Sequence, residues 1–314
     1  MPRIVIPDKL AAYHAEYTGD DGGPGWLAGL PGLAEEYLER WDLRPDGDAH
    51  HGMVALVLPV RRADGTPAAL KLQPVNDEND GEPTALRVWD GDGAVRLLDS
   101  APETGTMLLE RLDGHRTLQT VPDDEAALLT LSQLLARLVA TPAPPGMRTL
   151  ADIAGAMLKE APDVRRKLGD DDERRLLETC AAAVAEVIGE PGDRMLHWDL
   201  HYENVLAPLP GSGREPWLAI DPKPLAGDPG FDLLPAIGNR WEDITATGDV
   251  PRTVRRRFDL MTEVLGLDRG RAARWTLGRV LQNSLWDVED EADGEGEMTE
   301  EQFAVGEALL PYLA

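Results

Sequence analysis

One segment of the sequence carries side chains suited to phosphoryl transfer. It runs from His197-Trp198-Asp199 to Asn204 in the pattern H-x-D-x-x-x-x-N, and a second carboxylate, Asp221, follows 17 residues later. Asp199 can orient an attacking hydroxyl and accept its proton, while the oxygens of Asn204 and Asp221 suit Mg²⁺. Because such catalysis consists mainly of positioning and charge neutralisation, the spacing predicts Asp199 as the base and the other two as metal ligands.

A zinc site is the alternative interpretation of this segment. His197, Asp199 and His201 alternate along the chain, so on a β-strand they would share one face and could bind the metal. However, no histidine follows His201, and the spacing from Asn204 to Asp221 would then be accidental. We therefore favour phosphoryl transfer, with His197 packed beneath the loop and His201 either lining the substrate entrance or capping the loop.

The elements that must position these residues change in character along the chain. The first 110 residues are typical of short strands with turns, including an Asp-Gly turn at 63–66. The predicted strands and the helix between them form a small sheet with one main helix. The strands cover 53–60, 68–72, 94–98 and 107–110, and the helix covers 77–90.

Helical patterns dominate from residue 120 onwards. Leu128, Leu131, Leu135 and Leu138 recur on one helical face, which predicts a buried helix. The acidic segment 287–297 is expected to be an exposed loop. Further helices are predicted over 149–168, 172–189, 231–240, 251–266, 268–288 and 299–313.

Composition limits the possible partners. The 314 residues include 57 acidic and 31 basic side chains, a formal net charge of −26, which argues against nucleic-acid binding and would attract a cationic ligand. The longest apolar run, 53–60, is far shorter than the ~20 residues that span a bilayer. Cys180 is the only cysteine, which excludes an intramolecular disulfide, and the N-terminus is unlike a signal peptide. We expect a cytoplasmic protein without membrane contact, and the sequence leaves its oligomeric state open.

The catalytic segment resembles that of the aminoglycoside phosphotransferases, whose loop is H-G-D-x-x-x-x-N. Within that family, segments 217–224 (Trp-Leu-Ala-Ile-Asp-Pro-Lys-Pro) and 227–232 (Gly-Asp-Pro-Gly-Phe-Asp) resemble the streptomycin 6-kinase and hydroxyurea-kinase branch. The resemblance implies an α+β, bilobal, protein-kinase-like fold. Residues 1–112 would form a nucleotide-binding lobe with a small sheet and one main helix. Residues 113–314 would form a larger, mostly helical lobe for catalysis and substrate binding.

The resemblance also implies ATP and Mg as cofactors and assigns residues to the nucleotide. Lys71 corresponds to the strand lysine that contacts the α- and β-phosphates, and Glu82, or Glu78 one turn away, would hold its ammonium. Glu110 and Leu112 belong to a hinge whose backbone would meet adenine. Taken alone, Lys71 would more often be an exposed strand lysine, but its correct order ahead of the motif at 197–221 favours the nucleotide role.

Three departures from the kinase pattern matter. No G-x-G-x-x-G occurs between the first strands, where residues 46–52 would have to cover phosphates through backbone N–H groups. Trp198 replaces the arginine of regulated protein kinases. Asp221-Pro222-Lys223 replaces D-F-G, and Lys223 either neutralises phosphate charge or forms a structural salt bridge.

Asp232 can cap the following helix or steady the catalytic loop.

The substrate that accepts the phosphoryl group is expected to bind near Asp199. The sequence predicts an ATP- and Mg-dependent O-phosphotransferase for a streptomycin-like aminoglycoside or hydroxyurea. The alternatives are a metabolic kinase for another alcohol, amine or sugar, and a silent nucleotide-binding pseudokinase. The candidates around the substrate are His201, Asp232, Trp241, Trp286 and Asp287.

Overall fold

The computed structural model describes residues 4–16, 22–290 and 296–314, without the side chains of 289 and 290. The chain divides into two compact units. The first comprises the chain up to Arg116 together with Leu206–Ile220, and the second comprises Thr117–Val205 and Asp221–Ala314. The first unit thus includes 206–220, a segment that the predicted boundary at residue 112 assigns to the second lobe. The roles assigned to the two lobes stay predictions.

The first unit contains an antiparallel sheet of six strands in the order β1-β3-β4-β6-β5, with β2 also paired to β3. Leu56, Leu58 and Val60 of β3 alternate toward a buried face, which is the period of two expected for a strand. Lys71 in β4 pairs in register with Met107 in β6. The strands are β1 (Arg44–Pro45), β2 (His50–His51), β3 (Leu56–Arg61), β4 (Pro67–Leu72), β5 (Leu97–Ala101) and β6 (Thr106–Glu110).

Three helices accompany this sheet, where the sequence predicted one main helix. The predicted helix is α3 (Glu82–Trp89), and α1 (Asp8–Glu16) and α2 (Gly23–Arg40) precede the sheet. The glycines and prolines of α2 obscured its pattern, although proline is well tolerated in a first helical turn. Leu30, Ala34, Tyr37 and Leu38 nevertheless recur at helical spacing and pack into the core formed with the sheet.

The segment 206–220 joins the first unit through strand pairing and one buried arginine. It contributes to a three-stranded sheet of β7 (Leu112–Thr117), β9 (Val205–Pro208) and β10 (Leu218–Ala219) in the order β10-β9-β7. The Arg214 guanidinium donates to the Glu110 carboxylate and to the carbonyl oxygens of Gly91 and Ala94. These bonds fix the segment against the first unit.

The second unit is mostly helical, as predicted. The long helix α10 packs against α5, α6, α9 and α11, and Trp275 and Phe231 are fully buried there. Two short strands, β8 (Arg194–Leu196) and β11 (Leu225–Gly227), form an antiparallel ribbon. The helices are α4 (Asp124–Leu138), α5 (Leu150–Lys167), α6 (Asp171–Val187), α7 (Leu234–Ile237), α8 (Trp241–Ala246), α9 (Val250–Leu265), α10 (Arg269–Asp290) and α11 (Glu300–Leu309).

Two predictions for this unit were wrong in detail. The helix predicted over 231–240 is only the short α7, preceded by a 3₁₀ turn over Pro229–Asp232. The acidic segment 287–297 does not begin as a loop, because α10 continues to Asp290; its residues 291–295 lie outside the described structure. Within the described ranges, no helix combines the length and apolar character needed to cross a membrane.

Candidate active site

The catalytic loop is held by the ribbon of β8 and β11. Leu196, the last residue of β8, pairs with Leu225 of β11, so the loop after β8 and the segment before β11 meet at one end of the ribbon. Trp198 has φ 65° and Asp221 has φ 58°, backbone conformations that residues other than glycine adopt only at a cost in free energy. The ribbon therefore brings the predicted base and the predicted metal ligand Asp221 to the same end.

Three hydrogen bonds of His197 hold the catalytic loop, and one of them connects it to the segment before β11. Its backbone N–H donates to Asp232 Oδ2 at 2.8 Å, and its carbonyl oxygen accepts from the N–H of Lys223 at 3.0 Å. Its ring atom Nδ1 accepts from the N–H of Asp199 at 3.4 Å. The fully buried His197 thus holds the loop from beneath.

Asp199 forms an ion pair with Lys223. The distance from Lys223 Nζ to Asp199 Oδ2 is 3.1 Å, and 36% and 22% of the two side chains are exposed. Of the two roles predicted for Lys223, the structure shows a salt bridge, and its partner is the predicted base. Both side chains of this pair stay partly accessible to solvent.

The two predicted metal ligands present the oxygens that Mg²⁺ requires. Asn204 is buried, and its Nδ2 donates to the backbone oxygen of Asp199 at 2.9 Å. Because the amide nitrogen is engaged in this way, its Oδ1 is the atom left for a ligand. With the carboxylate of Asp221 this gives one amide oxygen and one carboxylate, a hard donor set that fits Mg²⁺.

The zinc alternative lacks the geometry it needs. Residues 197–201 follow β8 but are not part of a strand, and the positive φ of Trp198 breaks the alternation that would place His197 and His201 on one face. In the described part of the chain, no three histidine, cysteine or acidic side chains lie together as a metal site.

Asp232 supports the loop and does not cap a helix. It is fully buried, and Leu233 precedes α7 without a side-chain cap. Burial raises the pKa of Asp232 to about 7, although hydrogen bonds from the N–H groups of His197 and Trp198 and the charge of Arg279 act in the opposite direction. Of the two predicted roles, the structure shows the second.

Trp198 lies in a stack of aromatic and guanidinium groups. The guanidinium carbons of Arg148 and Arg279 are each 4.8 Å from the centre of its ring, and that of Arg279 is also 5.4 Å from the ring of Trp286. Such contacts are attractive because a cation meets the negative face of the ring. Trp286, predicted as a pocket wall, packs instead against the residue beside the base.

A cavity of about 480 Å³ in the second unit includes Asp199 in its wall. Three carboxylates, Asp199, Glu203 and Glu301, share it with polar side chains such as His201 and Asn283. Burial raises the pKa of Glu301, and the nearby charge of Asp287 acts in the same direction, while Arg257 opposes it. The cavity is therefore a polar pocket in which carboxylates outnumber the two guanidinium groups, those of Arg240 and Arg279.

The cavity corrects several predicted substrate residues. Of the predicted set only His201 lines it, whereas Asp232, Trp241, Trp286 and Asp287 are not among the described residues of its wall. The two tryptophans were chosen for type alone, and type does not show which way a side chain points. Glu301 was missed because it stands 102 residues after Asp199 in the chain; in the structure its Oε1 lies against Gly238, where a Cβ would collide with it.

The first unit contains a buried lysine–carboxylate cluster. Lys71 Nζ donates to both carboxylate oxygens of Glu82 at 2.8 Å, and Gln73 Nε2 donates to Glu82 Oε2 at 2.7 Å. The partner is thus Glu82, at the first position of α3. Gln73 was not foreseen, although it follows Lys71 by two residues and therefore lies on the same side of the extended chain.

The predicted hinge residues Glu110 and Leu112 lie in the first unit, between β6 and β7. Glu110 ends β6, and its carboxylate accepts from the N–H of Arg96 at 2.8 Å and from Arg214. Leu112 begins β7 and is partly exposed. The side chain of Glu110 is therefore occupied within the protein, and its backbone N–H donates to the carbonyl oxygen of Arg96 at 2.9 Å, so a backbone contact with adenine stays a prediction.

The architecture matches solved kinase structures. A choline/ethanolamine kinase family protein from Mesorhizobium loti superposes with a TM-score of 0.57 at 17% identity, covering 96% of this chain and 94% of that one. This likeness confirms the class that the sequence resemblance implied, an α+β protein-kinase-like fold.

The chain belongs to the aminoglycoside/hydroxyurea antibiotic resistance kinase family, whose profile matches residues 40–291. It is 61% identical over 287 residues to a streptomycin 6-kinase of Streptomyces glaucescens, covering 91% of this chain and 92% of the relative. It is 54% identical over 309 residues to a hydroxyurea phosphotransferase of Kitasatospora aureofaciens, covering 98% and 86%. Membership makes the chain a small-molecule kinase, as predicted, and implies ATP as phosphoryl donor.

Proposed function

We propose that this chain transfers the terminal phosphoryl group of ATP to a hydroxyl of a streptomycin-like aminoglycoside, with Mg²⁺ as cofactor. The observation that carries the proposal is the cavity of about 480 Å³ that contains Asp199 with two further carboxylates, Glu203 and Glu301. The identity to streptomycin 6-kinases supports the same acceptor and favours its 6-position.

In this proposal each residue has one task. Asp199 orients the acceptor hydroxyl and accepts its proton, and Lys71, held by Glu82, contacts the phosphates of the nucleotide. Asn204 Oδ1 and Asp221 hold Mg²⁺, which neutralises phosphate charge when bound. Asp232 and His197 keep the catalytic loop in shape. The backbone at Glu110 and Leu112 meets the adenine.

The charge of the cavity favours a cationic acceptor. Streptomycin carries guanidinium groups, which carboxylates such as Glu203 and Glu301 bind through paired, charge-assisted hydrogen bonds. The net charge of −26 acts in the same direction at longer range. Since ATP is an anion, this charge helps only the acceptor, so it distinguishes a guanidino sugar from an uncharged one.

Hydroxyurea is the second candidate acceptor, supported by the 54% identical hydroxyurea phosphotransferase. It is a neutral molecule of a few atoms and would fill only a small part of a cavity of about 480 Å³. It also has no cationic group to pair with Glu301. The cavity therefore favours the aminoglycoside.

A screen of ATP consumption over aminoglycosides, hydroxyurea and small polyols with Mg²⁺ tests the proposal. We expect turnover with streptomycin and a loss of at least ~10²-fold in kcat for Asp199→Ala. Equal turnover by Asp199→Ala would contradict the role of the base. Nucleotide binding without turnover of any acceptor would indicate the pseudokinase, and turnover of a neutral polyol alone would indicate a metabolic kinase.

Removal of one negative charge from the cavity should distinguish streptomycin from hydroxyurea as the acceptor. Glu301→Gln should raise the KM for streptomycin about tenfold, equivalent to ~1.4 kcal/mol, and leave the KM for hydroxyurea within about twofold. Glu300→Gln is the matched control, because Glu300 precedes it on α11 but is exposed. A KM for streptomycin that is the same in both variants would remove Glu301 from acceptor binding.

A further inference from the structure

The segment Pro222-Lys223-Pro224 presents a lysine on an unusually restricted backbone. Each proline fixes its own φ, and Pro224 confines the residue before it to extended conformations. The N–H of Lys223 also donates to the carbonyl oxygen of His197 at 3.0 Å. The Cα of Lys223 is therefore fixed relative to the catalytic loop, so the position of its ammonium depends on the side chain alone.

This lysine meets the predicted base at a cavity in which carboxylates outnumber guanidinium groups. Lys223 Nζ is 3.1 Å from Asp199 Oδ2, and Asp199 shares its cavity with Glu203 and Glu301. An ion pair this exposed contributes little to stability. Stability alone therefore does not account for a lysine fixed between two prolines opposite this carboxylate.

We infer that Lys223 is a positioning residue for Asp199 in the phosphoryl transfer proposed above, on which this inference rests. Its ammonium holds Oδ2 and leaves Oδ1 directed to the acceptor hydroxyl. In the transfer, the hydroxyl proton passes to Asp199 and the hydroxyl oxygen forms a bond to the terminal phosphorus of ATP. ADP leaves with the electron pair of the broken P–O bond.

Lys223→Met tests the inference, because it keeps the length of the side chain and removes the charge. We expect kcat to fall about 10- to 10²-fold, the size of effect that a misplaced reacting group produces. The KM values for streptomycin and ATP should stay within about threefold. Lys223→Arg, which keeps the charge, should recover most of the lost kcat.

The matched control is Lys159→Met, which removes one positive charge from an exposed position on α5. It should leave kcat within about twofold of the parent. Equal kcat for Lys223→Met and the parent would overturn the inference, and so would a rise, because Lys223 would then mask the base. Loss of kcat in Lys223→Arg equal to that in Lys223→Met would also contradict it.

Crystal structures of the parent and of Lys223→Met separate this inference from the proposed function. We expect one orientation of the Asp199 carboxylate in the parent and a different or divided orientation in the variant. If no acceptor is turned over by the parent, the proposed function fails, and the carboxylate orientation still decides the role of Lys223. An unchanged carboxylate in the variant would show that Lys223 does not position it.

Discussion

Each unit of this kinase contains one lysine–carboxylate pair near its proposed chemistry, and the two pairs differ in burial. Lys71 and Glu82 have side chains that are 7% and 0% exposed, and Gln73 completes the cluster. Lys223 and Asp199 are 36% and 22% exposed. The same two chemical groups are therefore a closed cluster in one place and an accessible pair in the other.

The difference follows from what each carboxylate must do. Glu82 only has to fix an ammonium, so complete burial is compatible with its task, provided that every charge has a partner. In the proposed transfer, Asp199 has to exchange a proton with the acceptor hydroxyl, so it needs contact with the cavity and only a loose partner. Burial in the first pair thus favours fixed geometry, and exposure in the second permits reaction.

Removing the buried carboxylate should have the largest effect on stability. Glu82→Gln removes the carboxylate that pairs with the buried Lys71 ammonium, and we expect a loss of about 3–5 kcal/mol in the free energy of unfolding, measured by urea denaturation. The double variant Lys71→Met, Glu82→Gln should be less destabilised than Glu82→Gln alone, since no charge is then buried. Equal stability of Glu82→Gln and the parent would mean that the pair is accessible after all.

Asp232 provides a third carboxylate for this comparison. It is fully buried, and its pair is not with a lysine. Its pKa of about 7 lies above its unfolded value, so between pH 4 and pH 7 the unfolded chain loses this proton while the folded chain keeps it. Raising the pH from 5 to 8 should therefore destabilise the parent relative to Asp232→Asn by about 2–3 kcal/mol. Above pH 7 the difference should become constant.

The measurement is urea unfolding of both proteins at several pH values. Asp228→Asn is a suitable control, because Asp228 lies on the same segment and pairs with Arg271. If the difference between the parent and Asp232→Asn is independent of pH, Asp232 is ionised throughout, and the network at His197 holds a charge after all.

The sequence could predict the parts of the site that are local in the chain. Asp199, Asn204 and Asp221 follow a spacing that the loop and ribbon impose, and the partners Lys71 and Glu82 follow from strand and helix order. Their roles in binding nucleotide and metal stay predictions. The fold class was confirmed, although the glycines and prolines of α2 concealed a helix.

Contacts that depend on tertiary packing could not be predicted in this way. Glu301 lies on α11 and lines the cavity together with Asp199, although the two residues are far apart in the chain. In the structure Glu301 lies against Gly238, which the sequence did not single out. Trp286 was predicted as a substrate residue from its type, but its ring lies near Arg279 and is not among the described residues of the cavity wall. Residue type suggested which side chains matter, whereas the packing of helices decided where they point.

The third member of the buried cluster should have a smaller effect than Glu82. Gln73→Leu removes the donor at 2.7 Å from Glu82 Oε2 and leaves a buried carboxylate with one partner fewer. We expect a loss of ~1–3 kcal/mol in the free energy of unfolding. Gln73→Glu should be worse, because it places two carboxylates together; a harmless Gln73→Glu would show that the cluster admits water.

The exposed pair should show the smallest effect on stability and thereby the sharpest contrast. Lys223→Met should lower the free energy of unfolding by at most ~1 kcal/mol, because both groups can be solvated when the pair is broken and salt already screens them. Comparison of Lys223→Met with the parent by urea denaturation at low and high salt measures this. A loss in the free energy of unfolding as large as that of Glu82→Gln would mean that the pair of Lys223 and Asp199 is needed for folding. The two lysine–carboxylate pairs would then both be structural, in spite of their different exposure.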